Sequence, residues 1–389
     1  MSKYQLVTLG KHIDILSGFA FPSSGFNQKN GVPLIRIRDI LSGRTETYYE
    51  GSYDLKYLIK KGDLLVGMDG DFNREYWKGT DALLNQRVCK ITPNPETLDK
   101  NFLYHFLQKE LDKIHATTDV VTVKHLSVKK IQDIKIRLPS LKEQKRIAAI
   151  LDKADGIRQK REQAIKLADD FLRATFLEMF GDPVMNPKGF DIKVLSDFFI
   201  DEKNGTKCGP FGSALKKDEF TREGVPVWNM DNITLKGGFI DLPSLWVSEY
   251  KYQELESYSV LDGDVIISRA GTVGKMGVVR SSTEKSIIST NLIRVRFGEK
   301  LYPEYFVSLM TYCKGRVGNL KTGPDGTFTH MNTGVLSNLE FPYPPLELQK
   351  KYIKIRQSVM LLIDKYHHFG FGIDETFCAI NQKAFLCQP

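Results

Sequence analysis

Small and apolar side chains stand at positions 147, 150, 154, 157, 164, 168, 171 and 175, with Arg161 the one polar intruder. That alternating three–four step is the seam of a coiled coil. It predicts one helix from Leu141 to Phe180, about 60 Å long at 1.5 Å per residue. Such a length exceeds what packing on one domain requires. A second helical pattern starts at Leu346 and runs toward Phe385. The two open on related residues, Pro139-Ser140-Leu141-Lys142-Glu143-Gln144 and Pro344-Pro345-Leu346-Glu347-Leu348-Gln349. Two such helices can bury their seams on each other as an antiparallel coiled coil. Gly370 and Gly372 in the second weaken it by roughly 1 kcal/mol each.

Ahead of each helix the pattern shortens to strand-like runs bounded by turn residues. Leu6 to Gly18 opens the first stretch, and Ile192 to Gly205 opens the second. Gly31-Val32-Pro33-Leu34-Ile35 returns as Gly224-Val225-Pro226-Val227-Trp228, and Lys61-Gly62-Asp63 as Asp262-Gly263-Asp264. Each Gly-Asp turn precedes a run with the character of a buried strand. Phe102-Leu103 and Tyr305-Phe306 sit in amphipathic helices, and His125-Leu126-Ser127 answers His330-Met331-Asn332. The offset drifts from about 193 to about 205 residues, so the frame persists while loops differ. The chain reads as a tandem duplication of mixed α/β (α+β) units, each followed by a long helix. Gly181 to Asp191, with two prolines and two glycines, separates the units.

An antiparallel pair of spacer helices would hold two related but divergent heads in opposite orientation. That geometry suits two different short sites on one linear polymer, and duplex DNA is the obvious one. The charge agrees weakly: 55 Lys+Arg against 47 Asp+Glu give +8. A basic balance alone does not establish a polyanionic partner. Five cysteines without metal-ligand pairing fit a reducing cytoplasm. No apolar run reaches membrane-spanning length.

The chain resembles the specificity subunit of type I restriction–modification systems. The resemblance rests on the two proline-led helix starts and on Thr175-Phe176-Leu177-Glu178-Met179-Phe180-Gly181-Asp182-Pro183. It rests also on Gly209-Pro210-Phe211-Gly212-Ser213-Ala214-Leu215-Lys216 and on the paired units. It implies target-recognition domains at 1–139 and 183–344, with conserved spacer helices at 140–182 and 345–389. It further implies a non-catalytic reader of a split, asymmetric DNA target in a prokaryotic cytoplasm. Its partners would be two methyltransferase subunits and the restriction/translocase subunits. S-adenosylmethionine, ATP and Mg would then belong to those partners, with no cofactor on this chain.

A stand-alone nucleic-acid enzyme, methyltransferase or nuclease, is the competing class. Pro342-Tyr343-Pro344-Pro345 has the wrong order for an adenine methyltransferase tetrapeptide. Gly271-Thr272-Val273-Gly274-Lys275 lacks the first glycine and the hydroxyl residue of a phosphate-binding loop and reads as a surface hairpin. Asp133-Ile134-Lys135 lacks a spaced acidic partner for a nuclease site. His367 and His368 point to different sides of a helix.

Candidate DNA contacts are therefore sought in loops that differ between the units. In the first unit these are Asn73, Arg74, Trp77 and Lys78 in the segment 69–78, then Asn85, Gln86 and Arg87. In the second they are Arg269, Thr272 and Lys275, with Asn291 further on. Arg36 and Arg38 alternate with Ile35 and Ile37, which predicts one strand face, with Trp228 and Met230 near the equivalent place. Lys124 and His125, and Lys321, Thr327 and His330, are candidates for a phosphate-contacting edge. The alternative roles are turn-stabilising or solvated side chains for the loop residues, a solvated face for Arg36 and Arg38, and for His125 and His330 a structural imidazole closing the domain against its helix.

Overall fold

The computed structural model describes residues 4–118, 124–313, 317 and 331–381, with only the backbone described for Ser213 and 367–381. Contacts divide the chain into two compact units, 1–163 with 367–389, and 164–366.

The first unit contains strands β1 (Gln5–Thr8), β2 (Ile13–Ser17), β3 (Phe26–Asn27), β4 (Val32–Ile35), β5 (Tyr48–Tyr49) and β6 (Leu58–Ile59). Then follow β7 (Leu64–Gly67), β8 (Arg74–Tyr76), β9 (Ala82–Leu84), β10 (Val88–Pro93) and β11 (Lys135–Leu138). Its helices are α1 (Asp39–Ser42), α2 (Lys100–Ala116), α3 (Val128–Gln132) and the start of α4 (Leu141–Phe180). One sheet has the order β2-β10-β7-β8, a second β3-β5-β4-β9-β6, and β1 pairs with β11. Within the second sheet β4 and β9 are parallel, with Ile35 opposite Leu84.

The second unit repeats this plan. Its strands are β12 (Ile192–Val194), β13 (Thr206–Cys208), β14 (Phe220–Thr221), β15 (Val225–Trp228) and β16 (Trp246–Val247). They continue with β17 (Val265–Ser268), β18 (Met276–Val278), β19 (Ile287–Ile288), β20 (Leu292–Val295) and β21 (Glu340–Pro342). Its helices are α5 (Glu249–Glu254), α6 (Pro303–Tyr312), α7 (Thr333–Ser337) and α8 (Leu346–Asn381). The sheet orders are β13-β20-β17-β18 and β14-β16-β15-β19, with β12 on β21. Here β15 and β19 are the parallel pair, Trp228 opposite Ile288.

The Gly-Asp turns occupy the expected places. Gly62 and Gly263 adopt φ of 93° and 90°, open to glycine and strained for other residues. Their N–H groups donate to Trp77 O at 2.8 Å and Val279 O at 2.9 Å, and the buried strands β7 and β17 follow.

The first core joins Leu64, Val66, Phe102 and Phe106 to Ile147, Ala148 and Leu151 of α4. In the second, Phe176 and Phe180 of α4 pack on Tyr305 of α6 and Tyr352 of α8. The last turns of α4 thus lie beside the first turns of α8. The helix bounds agree with the sequence, but the seam does not. Ile150, Ile157 and Phe171 are exposed, whereas Leu151, Leu172 and Phe176 are buried. The buried positions of α4 lie at its two ends and face the domain cores. Helix α8 runs unbroken past Gly370 and Gly372 to Asn381.

Candidate nucleic-acid interface

Because β4 and β9 run parallel, the chain leaves both at the same edge of the sheet. After Ile35 the backbone N–H of Arg36 donates to the buried carboxylate of Asp39 at 2.9 Å, turning the chain into α1. Arg36 and Arg38 therefore stand on a turn and not on a strand face. The strand ends at Ile35 because the Asp39 side chain takes over the hydrogen bond that a ladder partner would supply. Beside them Asn85, Gln86 and Arg87 connect β9 to β10. Gln86 N–H donates to Phe19 O at 2.8 Å, and Arg87 O accepts from Met68 N–H at 2.8 Å. Arg87 holds an unusual φ of 72°.

These two connections enclose a cleft of about 380 Å³ lined by Arg36, Ile37, Arg38, Asn85, Gln86 and Arg87. Five sequence candidates thus share one surface. Arg38 Nε lies 3.7 Å from Asp39 Oδ1, and Arg87 Nε 3.4 Å from Asp69 Oδ2. Asp69 also meets His125 Nδ1 at 2.6 Å, and that nitrogen is 3.4 Å from Arg87 Nη1. The Arg36 guanidinium and the Gln86 amide have no side-chain partner among the described residues. Asn85 is buried, and its Oδ1 has no hydrogen-bond partner among the described residues.

The segment 69–78 is not one exposed loop. Arg74 to Tyr76 form β8 on β7, and the Arg74 guanidinium lies 3.4 Å above the Tyr104 ring of α2. Burial raises the Tyr104 phenol above its ordinary range, while Arg74 pulls it down. Trp77 is buried, packs with Ile35, Ile40 and Leu65, and donates its indole N–H to Thr80 O at 2.6 Å. It is a core residue with no face left for a partner. Asn73 gives its carbonyl to Gly67 N–H, and Lys78 is exposed, 3.5 Å from Glu75 Oε2. Lys124 donates to His115 O at 2.6 Å, closing the end of α2 instead of standing free beside His125.

The second unit builds the same edge with other side chains. Strand register makes Asn229 and Asp231 the counterparts of Arg36 and Arg38, and Ser289, Thr290 and Asn291 those of Asn85, Gln86 and Arg87. Trp228 and Met230 instead answer Ile35 and Ile37. The turn is kept: Asn229 N–H donates to Asn232 Oδ1 at 3.0 Å, as Arg36 does to Asp39. Asn229 and Asp231 were missed by sequence reasoning, although the interval from Gly31 to Gly224, held strictly, finds both. Arg269 donates to Thr290 O at 3.1 Å and lies 4.1 Å above the Phe211 ring. Lys275 donates to Met230 O at 2.8 Å, while Thr272 and Asn291 are exposed. Lys321, Thr327 and His330 lie outside the described residues.

One glycine in each unit makes the edge possible. A Cβ on Gly18 would fall 1.9 Å from Asn85 O, and one on Gly209 would fall 2.0 Å from Ser289 O. Gly18 N–H donates to Val88 O, and Gly209 N–H to Leu292 O, both at 2.9 Å. Among the described residues no group of His, Cys, Asp and Glu is arranged to hold a metal ion, and no helix is long and apolar enough to cross a membrane.

Two α+β units that repeat one strand-edge frame with different polar groups define a duplicated recognition protein. The chain belongs to the type I restriction modification DNA specificity domain family, whose model matches residues 1–167 and 188–364. Its role is that of a specificity subunit, which is non-catalytic. The type I restriction enzyme EcoBI specificity subunit of Escherichia coli is 30% identical over 390 residues, covering 92% of this chain and 79% of that protein. The MjaVIII specificity subunit of Methanocaldococcus jannaschii is 25% identical over 320 residues, covering 79% and 74%. In fold, the chain is similar to the S subunit of the M. genitalium type I system. The TM-score is 0.62 at 17% identity, covering 98% of this chain and 96% of that one.

Proposed function

We propose that this chain reads a split, asymmetric DNA sequence, one half through each unit, for a type I restriction–modification enzyme. The observation that carries the reading is the repeated edge: one glycine-dependent approach and one side-chain-capped turn, dressed with different polar groups in each unit. A protein reading one symmetric site would keep the groups alike. Divergence on a preserved frame suits two different half-sites. Arg36, Arg38, Asn85, Gln86 and Arg87 serve the first half, and Arg269, Thr272 and Asn291, with Asn229 and Asp231, serve the second.

The working division is 1–139 and 183–344 for reading, and 140–182 and 345–389 as spacer helices that dock two methyltransferase subunits. Restriction/translocase subunits join that assembly in a prokaryotic cytoplasm. S-adenosylmethionine, ATP and Mg are used by the partners and not by this chain. The test is selection from a random duplex pool with the chain assembled on its methyltransferase partners. Enrichment of a two-part sequence supports the reading, and sequence-independent retention refutes it. Methyl transfer by the chain alone would instead favour an enzyme.

A further inference from the structure

An arginine reads guanine by presenting two donors to O6 and N7, and a glutamine reads adenine through N6 and N7. Both need a fixed backbone and a head group not already engaged. Arg36 and Gln86 meet these conditions. Their backbone N–H groups are tied to Asp39 and to Phe19 O, and both side chains are exposed on one cleft without partners among the described residues. Arg38 and Arg87 lean on Asp39 and Asp69, leaving outer nitrogens suited to phosphate oxygens.

Neighbouring strands lie about 4.8 Å apart, against a rise of about 3.4 Å per base along a strand. Side chains leaving adjacent parallel strands at the same level therefore face base pairs one or two steps apart. Resting on the DNA-reading function above, we infer that Arg36 and Gln86 are the base-reading pair of the first unit. Arg36 engages a guanine, Gln86 engages an adenine one or two base pairs away, and Arg38 and Arg87 hold phosphates. The second unit has no copy of this device. Asn229, at the place of Arg36, uses its amide within the turn, accepting from Asp231 N–H at 2.7 Å and donating to Ser244 Oγ at 3.1 Å.

The test maps methylated adenines on a random duplex library treated with the complex of this chain and its methyltransferase partners. Arg36→Ala and Arg36→Lys should each relax one G·C position by about ten- to a hundredfold, the lysine keeping charge but losing the fork. Gln86→Ala should relax an A·T position one or two steps away in the same half. Arg38→Ala should weaken all sequences alike and lower the salt slope by about 1. The other half-site stays unchanged throughout. Unchanged melting temperatures are expected for the Arg36 variants, whose side chain has no partner among the described residues. An intact sequence in both Arg36 variants or in Gln86→Ala, relaxation of an A·T pair by the Arg36 variants, or relaxation of the other half by any of them overturns the assignment while leaving the DNA-reading function standing. A wild-type complex that methylates no defined sequence overturns both.

Discussion

The side-chain oxygen of Gln144 accepts a 2.8 Å hydrogen bond from the backbone N–H of Asp99. Its amide nitrogen donates to Thr97 O at 3.0 Å and to Pro139 O at 2.9 Å. Gln349 repeats the arrangement, accepting from Tyr302 N–H at 3.1 Å and donating to Pro344 O at 2.9 Å. Both glutamines are fully buried, and Asp99 and Tyr302 are the N-cap positions immediately before α2 and α6. The proline-led sequence at each long helix thus serves to lock that helix onto the domain before it. Gln144→Leu would strand three main-chain groups, each costing about 1–3 kcal/mol. A loss of at least about 3 kcal/mol is expected in urea unfolding, and a loss under about 1 kcal/mol would contradict the account.

Gly18→Ala should be nearly as damaging, although the substitution adds one methyl group. A Cβ there would meet backbone, at 1.9 Å from Asn85 O, and backbone cannot rotate aside as a side chain can. Relief requires the 85–87 connection to move, at about 1–3 kcal/mol for overpacking. The recognised half-site should then blur with stability, while Gly62→Ala, where nothing lies within 4 Å, should cost stability through its φ of 93° and leave recognition intact. Melting curves and methylation mapping on the same variants separate the two effects.

The duplicated frame was legible because turns and buried strands leave strong local marks. Gly62 and Gly263 need a conformation open to glycine, and proline with buried glutamine announces each long helix. The edge was harder to read. Arg36 to Arg38 alternate with isoleucines like a strand, yet the Asp39 carboxylate captures the Arg36 N–H and ends it. Local side-chain bonds of that kind compete with the pattern and cannot be seen in periodicity. Trp77 sits among polar residues in sequence and became core only through long-range packing on Ile35 and Leu65. The helix seam failed for a similar reason: at each end α4 turns its buried face to a domain core.

Arg74 tests whether a basic residue beside a recognition surface must be part of it. Its guanidinium covers the Tyr104 ring, and its backbone N–H donates to Gln108 Oε1 at 3.1 Å. Arg74→Ala should cost about 1 kcal/mol of stability, in the range of a partly desolvated cation–π contact. The methylated sequence should not change. If one position of the half-site relaxed instead, Arg74 would have to leave Tyr104 when DNA binds, and its place in the fold would need revision.

Alkaline pH should unfold the protein in a particular order. Burial pushes the Cys89 thiol from its ordinary 9.0 up to about 12, and burial raises Tyr76, Tyr305 and Tyr352 above their ordinary 10.0. All four are neutral in the folded chain and ionise more easily once unfolded. Their folded values lie above the unfolded ones, so the stabilisation is complete below about pH 9 and is lost as pH rises beyond it. Each group titrating only in the unfolded chain removes about 1.4 kcal/mol per pH unit. Stability from urea unfolding should be unaffected by these groups up to about pH 9, fall first with the thiol, and fall more steeply from about pH 10 as the tyrosines join. Cys89→Ala should shift the onset to the tyrosine range while lowering stability at neutral pH through the lost sulfur packing. An onset that stays at about pH 9 in that variant would assign the first loss to another group.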